Sequence, residues 1–246
     1  PTPKDMVTIA EADLIIYTGG HSDAWVDSIL SSLSSPPRAF RLMEQVPLLS
    51  EERTEGMEDD GHGHHEGSDE HVWTSPVNEA AIVSALADAI SAIEPERSEE
   101  LYGNAEAYIA SLEVLDGEIR KIVEESPLDT LIFASRFPLL YFVKEYGLRY
   151  YAAFPGCAEE TEPSARTVAF LIDKAKELGV PCILNIEMSS DLIARTIAEE
   201  AGVPVYTFSS LHNVTAREFA SGETYITIME RNADILREAL GGTDQR

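Results

Sequence analysis

Histidines carry most of the chemistry that this chain offers. Six are spread over 246 residues, at positions 21, 62, 64, 65, 71 and 212. Four fall in one acidic, glycine-rich stretch, "EDDGHGHHEGSDEHVWTSP" (58–76). Imidazole nitrogens and carboxylate oxygens form a donor set suited to Zn²⁺, at roughly 2.0–2.2 Å. Mn²⁺ prefers more oxygen. The four histidines do not share one job. His62, His64 and His65 lie among Glu, Asp and Gly with no apolar periodicity. Segment 50–70 cannot bury enough apolar surface to fold by itself, and it reads as a mobile, metal-gathering loop. His71 directly precedes Val72, Trp73 and a capped helix, so it has a fixed place. It reads as a ligand; a packed histidine is the plainer alternative.

Two more residues complete the candidate metal set of His71, His212 and Glu187. His212 sits in "SSLHNVT", where an ordinary loop histidine is the competing reading. Glu187 closes the apolar run "CILNIE", where a carboxylate serving a helix start competes. Cys157, in "FPGCAEE", is a thiolate donor by type, although a small buried residue is the simpler reading. His21 follows a strand end and suits a cap on the next helix. No GxGxxG follows a strand, and there is no phosphate loop, GxSxG or HExxH. Nothing therefore marks a nucleotide site or a hydrolytic centre.

The elements that must position these residues follow from periodicity. A helix opens near Pro3, then a strand (13–20), a helix (23–33) and a strand (38–44) precede the histidine-rich loop. Ser75 caps a helix with Pro76 at its first position. A long helix spans about 97–125, with apolar residues from Leu101 to Ile122 recurring every three or four positions. At 1.5 Å per residue it reaches roughly 40–45 Å, enough to bridge two lobes. Strands at 130–135, 149–154, 182–187 and 204–209 then alternate with helices, including 162–179, 189–202 and 223–240. That rhythm implies a parallel sheet covered on both faces, with ligands beyond the strand carboxyl ends. Arg136, Cys157, Glu187 and the His212 loop fall there. Only two strands precede the loop, too few for a well-supported sheet. That, with no initiator Met in "PTPKDM", suggests sequence before Pro1.

Charge narrows the partners. Asp and Glu number 44 against 18 Lys and Arg, a formal net charge of −26. Nucleic acid and anionic membranes need a basic face, so the charge argues against both. A cation as cargo is compatible. Two cysteines set no disulfide framework. Cys182, in "VPCILNI", reads as a core residue. No apolar run approaches the roughly 18 residues of a membrane span.

Six separated segments carry a resemblance: "PTPKDM…ADLIIYTGG…DAWVD", "DEHVWTSPVN", "YFVKEYGLRYYAAFPG", "ETEPSARTVAFLIDKAKE", "IAEEAGVPV" and "HNVT…TYITIMERNADILREAL". In that order they resemble the zinc- and manganese-binding solute-binding proteins of metal ABC transporters, in a Gram-positive-type form. The resemblance implies an α/β fold of two lobes with mainly parallel sheets covered by helices, joined by one long linking helix. The divisions would be 1–96, 97–126 and 127–246. It implies a metal between the lobes, and it matches His71 to the family ligand before a W-x-x-P step. Another family ligand position falls on Arg136, and a guanidinium cannot coordinate. A last one falls near His212. A first ligand histidine usually lies a few residues before "PTPKD", ahead of Pro1. Glu187 is the candidate to compensate.

The function implied is an extracytoplasmic receptor, monomeric and anchored as a surface lipoprotein by a segment outside this chain. It would bind Zn²⁺, or alternatively Mn²⁺, and deliver it to a membrane permease, without enzymatic activity. A surface adhesin and a zinc-dependent hydrolase are the competing readings; the hydrolase would need an open metal position and a nearby base.

Overall fold

The computed structural model describes residues 1–57, 67–156 and 162–242. Helix α1 (Pro3–Glu11) starts with a capping box between Thr2 and Asp5. Strand β1 (Leu14–Tyr17) pairs in parallel with β2 (Arg38–Arg41) across α2 (Ala24–Ser32). The strand expected at 13–20 is thus present, but less buried than its apolar run suggests. Ile16 is 48% exposed, because among the described residues β1 pairs only with β2.

Helix α3 (Pro76–Ser91) begins as expected, with Ser75 Oγ accepting from the Asn78 N–H at 3.3 Å. Helix α4 (Ser98–Glu125) runs 28 residues, about 42 Å at 1.5 Å per residue. It packs against α3 near its start and against the last helix further along. Leu112, Leu115, Ile119 and Ile122 are buried. Each such side chain removed from water contributes about 1.5–3 kcal/mol.

The second half is α/β with parallel strands. In order come β3 (Thr130–Ile132), β4 (Arg136–Phe137), α5 (Leu140–Glu145), β5 (Arg149–Tyr151), β6 (Phe154–Pro155), α6 (Ala165–Leu178), β7 (Ile183–Ile186), α7 (Leu192–Ala201), β8 (Val205–Phe208), α8 (Ala216–Ser221) and α9 (Tyr225–Ala239). Strand β3 pairs with β5, and β7 with β8, while a parallel bridge from Phe133 to Leu184 joins the two pairs. The order β5–β3–β7–β8 results. All four residues of β7 are buried, as expected for a strand covered on both faces. A separate short pair, β4–β6, sets Arg136 opposite Phe154.

Differences from the sequence expectation include two helix starts and one added helix. Pro163 lies before α6, because Ser164 takes the cap and accepts from the Thr167 N–H. Helix α7 starts at Leu192, after Met188 adopts a left-handed conformation (φ 57°). Helix α8 was not expected; a capping box between Thr215 and Glu218 starts one short turn whose Phe219 stays exposed. Among the described residues no helix is long and apolar enough to cross a membrane.

Candidate metal site

His71 is held on every side. Antiparallel contacts between 49–51 and 67–69 lead the chain to it, including the Asp69 N–H donating to Leu49 O at 2.8 Å. The Tyr141 hydroxyl donates to Asp69 O at 2.9 Å. Val72 is fully buried and starts a short 3-10 turn, Val72–Thr74. Asn78 Nδ2 donates to Val72 O, and Thr74 Oγ1 to His71 O. Asp69 is buried and engages His71 twice through one oxygen, with the backbone N–H at 2.8 Å and Nδ1 at 3.1 Å. A carboxylate on Nδ1 fixes that nitrogen as the donor and leaves Nε2 with the open lone pair.

His212 comes from the other half of the chain, on the loop after β8. Its ring centre lies 6.0 Å from that of His71. Trp73 stands against both, at 5.4 Å from His71 and 5.7 Å from His212. Its indole N–H donates to Ser210 O at 3.0 Å, and the Tyr225 hydroxyl donates to Trp73 O at 2.9 Å. The turn carrying His71 and the loop carrying His212 are therefore joined directly. Partial burial pushes the His212 pKa below its ordinary value; the neighbouring His71 and Arg136 push it further, and Glu187 opposes. A neutral imidazole is the metal-binding form.

These residues line a cavity of about 180 Å³. Thr18, Ser22 and Asp23 reach it from the carboxyl end of β1, and Glu70 beside His71. Both acidic side chains already serve the backbone. Asp23 accepts from the N–H groups of Thr18 (2.8 Å) and Gly19 (3.2 Å), and Glu70 from that of Ser22 (3.1 Å). Gly20 lets Glu70 approach, since a Cβ there would lie 2.3 Å from Glu70 Cδ. Gly156 does the same on the opposite wall, where a Cβ would meet Phe137 O at 2.8 Å and His71 Cε1 at 3.3 Å.

Of the three expected ligands, the structure brings His71 and His212 together. Glu187 is close but turned elsewhere. Its carboxylate accepts from the Ser210 N–H and Oγ, both at 2.7 Å, and from the His212 N–H at 3.3 Å. It is not among the cavity-lining residues. Among the described residues, no three His, Cys, Asp or Glu side chains converge closely enough to hold a metal by themselves. His21 sits at the start of a 3-10 turn, outside the cavity lining. His62, His64, His65 and Cys157 lie outside the described residues. Arg136 lines the cavity from β4, as its strand-end position implied. Sequence reasoning missed Asp69, Glu70 and Asp23; the acidic pair immediately before His71 was the available signal.

Comparison with known proteins gives the chain's family and relatives. The family model described as "Zinc-uptake complex component A periplasmic" (ZnuA) matches residues 1–239. The zinc-binding lipoprotein AdcA of Streptococcus pneumoniae is 31% identical over the whole chain, which covers 48% of that protein. The high-affinity zinc uptake system protein ZnuA of Bacillus subtilis is 33% identical, with 98% of this chain and 76% of that protein covered. The chain thus spans about half the length of the AdcA relatives it matches. Among solved structures, the metal-dependent lipoprotein YcdH of Bacillus subtilis superposes with a TM-score of 0.81 at 30% identity, covering 98% of this chain and 85% of that one. The Zn(II)-bound ZnuA-like domain of Streptococcus pneumoniae AdcA gives 0.79 at 27% identity, covering 98% and 84%. From its first residues to the end of its last helix, this chain belongs to the ZnuA family of zinc-uptake binding proteins.

Proposed function

We propose that this chain is the extracytoplasmic metal-binding component of a zinc ABC importer, carrying Zn²⁺ as cargo on His71 and His212. The observation that carries the reading is the His71–His212 pair, 6.0 Å apart, with Asp69 holding the first imidazole in its ligating tautomer. Two imidazoles on one tetrahedral zinc, at roughly 2.0–2.1 Å each, have ring centres about 5 Å apart. A shift of about 1 Å by the exposed His212 loop closes that difference. Nitrogen donors favour Zn²⁺ over Mn²⁺. Glu187 enters as the residue that holds the His212 loop; ligation by it would require release of Ser210.

In this reading α4 links two lobes, 1–96 and 127–246, and the metal lies between them. Glu70 and Glu187 hold the backbone of the flanking loops, and the zinc-uptake family supports transport over hydrolysis. Delivery to a membrane permease, and anchoring outside the cytoplasm, follow the zinc-uptake description of the family and the lipoprotein relatives. Calorimetric titration of Zn²⁺ into the chain and its His71→Ala variant tests the reading. Loss of at least about 100-fold in affinity is expected, from removal of a directly bound imidazole with its carboxylate partner. Equal affinity in the two proteins would overturn it.

A further inference from the structure

Two side chains of α9 reach both halves of the site without being ligands. Tyr225 is the first residue of the helix, and Asn232 lies two turns, roughly 10.5 Å, further along the same face. The Tyr225 hydroxyl donates to Trp73 O at 2.9 Å, in the turn that carries His71. Asn232 is buried and turns its carboxamide on Ser209, in the loop that carries His212. Its Oδ1 accepts from the Ser209 N–H at 2.9 Å, and its Nδ2 donates to Ser209 O at 2.8 Å. Nδ2 also faces Met229 Sδ at 3.4 Å. Ser209 allows only one orientation of that amide, since the N–H must meet oxygen and the carbonyl must meet nitrogen.

The grip on Ser209 comes where the chain leaves β8 and bends toward the cavity. Leu211, two residues on, has a φ of 59°. A bulky side chain rarely holds a left-handed backbone, and such a residue persists only where its surroundings over-determine it. Here they do. Asn232 fixes Ser209, the Glu187 carboxylate takes the N–H groups of Ser210 and His212, and the Trp73 indole donates to Ser210 O. The Leu211 N–H itself donates to Ser209 Oγ at 3.2 Å. Glu187 follows β7 and Trp73 belongs to the His71 turn. Asn232 ties the loop to the same helix that holds that turn. Because α9 is a rigid rod between its two grips, any displacement of Ser209 from Asn232 changes the distance from His212 to His71.

We propose that Asn232 is a positioning residue for the metal site: through Ser209 it sets where His212 stands relative to His71, with α9 as the frame common to both. This rests on the His71–His212 reading above and adds the residue that governs their spacing. A buried asparagine that only sealed a helix against a strand end would support stability and leave the imidazole spacing alone.

Zn²⁺ titration of the full chain, together with the visible spectrum of bound Co²⁺, tests the proposal. Asn232→Leu keeps the size of the side chain and removes both hydrogen bonds to Ser209. Its affinity for Zn²⁺ should fall about 10–100-fold, and its Co²⁺ bands should shift as the coordination angles change. Tyr225→Phe keeps the ring and removes the other grip, with a loss of about fivefold expected. Leu236→Ala is the stability control. Leu236 is buried one turn further along α9, and its truncation opens a cavity without removing a hydrogen bond from the 209–212 loop. It should melt lower than wild type yet bind Zn²⁺ and Co²⁺ as wild type does. Circular dichroism checks the fold of each variant. If Asn232→Leu does not fold, Asn232→Asp, which keeps the shape and the acceptor but loses the donor, takes its place with the same expected loss. Wild-type affinity and spectrum in the Asn232 variant overturn the proposal and leave zinc binding intact. An equal loss in Leu236→Ala also overturns it, since affinity would then follow stability rather than position. Absence of Zn²⁺ binding by wild type overturns the zinc reading and this one with it.

Discussion

One oxygen of Asp69 holds both the backbone N–H and the Nδ1 of His71, at 2.8 and 3.1 Å. The same buried carboxylate thus sets where the histidine sits and which nitrogen it offers. Asp69→Asn keeps the shape but lets an amide N–H compete for the position facing Nδ1. Partners of this kind are worth about 10–100-fold in metal affinity. Zinc titration of Asp69→Asn should show a loss in that range with thermal stability only slightly lowered; unchanged affinity would mean that the imidazole needs no orienting group.

Glu187→Gln separates two roles for that carboxylate. As the holder of the 210–212 loop, it contributes charge-assisted hydrogen bonds worth about 1.5–3 kcal/mol together with their neutral remainder. The variant should weaken Zn²⁺ binding roughly tenfold and increase protease sensitivity of the loop. A complete loss of binding with an unaltered loop would instead identify Glu187 as a metal ligand.

The His212 pKa is lowered, first by partial burial and then by His71 and Arg136. Its proton therefore competes with metal only at pH values below the ordinary histidine value of 6.5. Zinc affinity should stay level between pH 8 and 7 and fall as pH drops below that value. In Arg136→Gln the fall should begin at higher pH, because one lowering influence is gone. Affinity that declines already between pH 8 and 7 would contradict this order.

Burial pushes the carboxyl of Glu79 in α3 up to about 7, with Tyr108 and Tyr225 close by. In the unfolded chain a glutamate titrates near 4.5. Between those values the folded protein holds the proton and the unfolded chain does not, so the contribution to stability falls as pH rises through the window. Above it the full cost of a buried charge remains, about 1–2 kcal/mol after screening by the solvent the group still meets. Glu79→Gln should raise the melting temperature at pH 8 and leave it almost unchanged at pH 5. Equal gains at both pH values would show that packing, not charge, is responsible.

Gly156→Ala adds a methyl 2.8 Å from Phe137 O and 3.3 Å from His71 Cε1. Relief of that crowding should cost about 1–3 kcal/mol of stability. It should also shift the His71 ring and weaken zinc binding, read from melting curves and titration on the same sample. A variant with wild-type stability and affinity would mean that the wall yields freely.

The sequence carried the helices and the β/α alternation because caps and periodicity are local. Ser75–Pro76 and the apolar rows of α4 stand where expected. The fixed, buried place of His71 was also legible, since Val72 and Trp73 announce burial. The direction of Glu187 was not: a carboxylate after a buried strand reads alike whether it faces a metal or the Ser210 backbone. Trp73 was visible as a packing residue, but its bond to Ser210 spans 137 positions and has no local signature. The short helix α8 escaped because its capping box starts a single turn with no apolar row.

That Trp73–Ser210 bond has a consequence for the order in which ligands engage. With the His71 turn tied to the His212 loop before any ion arrives, the second imidazole is already beside the first. On the reading proposed above, capture of the second nitrogen is intramolecular, and its effective concentration is set by the tether rather than by diffusion. The tether supplies a chelate effect in advance: an ion that meets one imidazole has met both, and it leaves only by losing both.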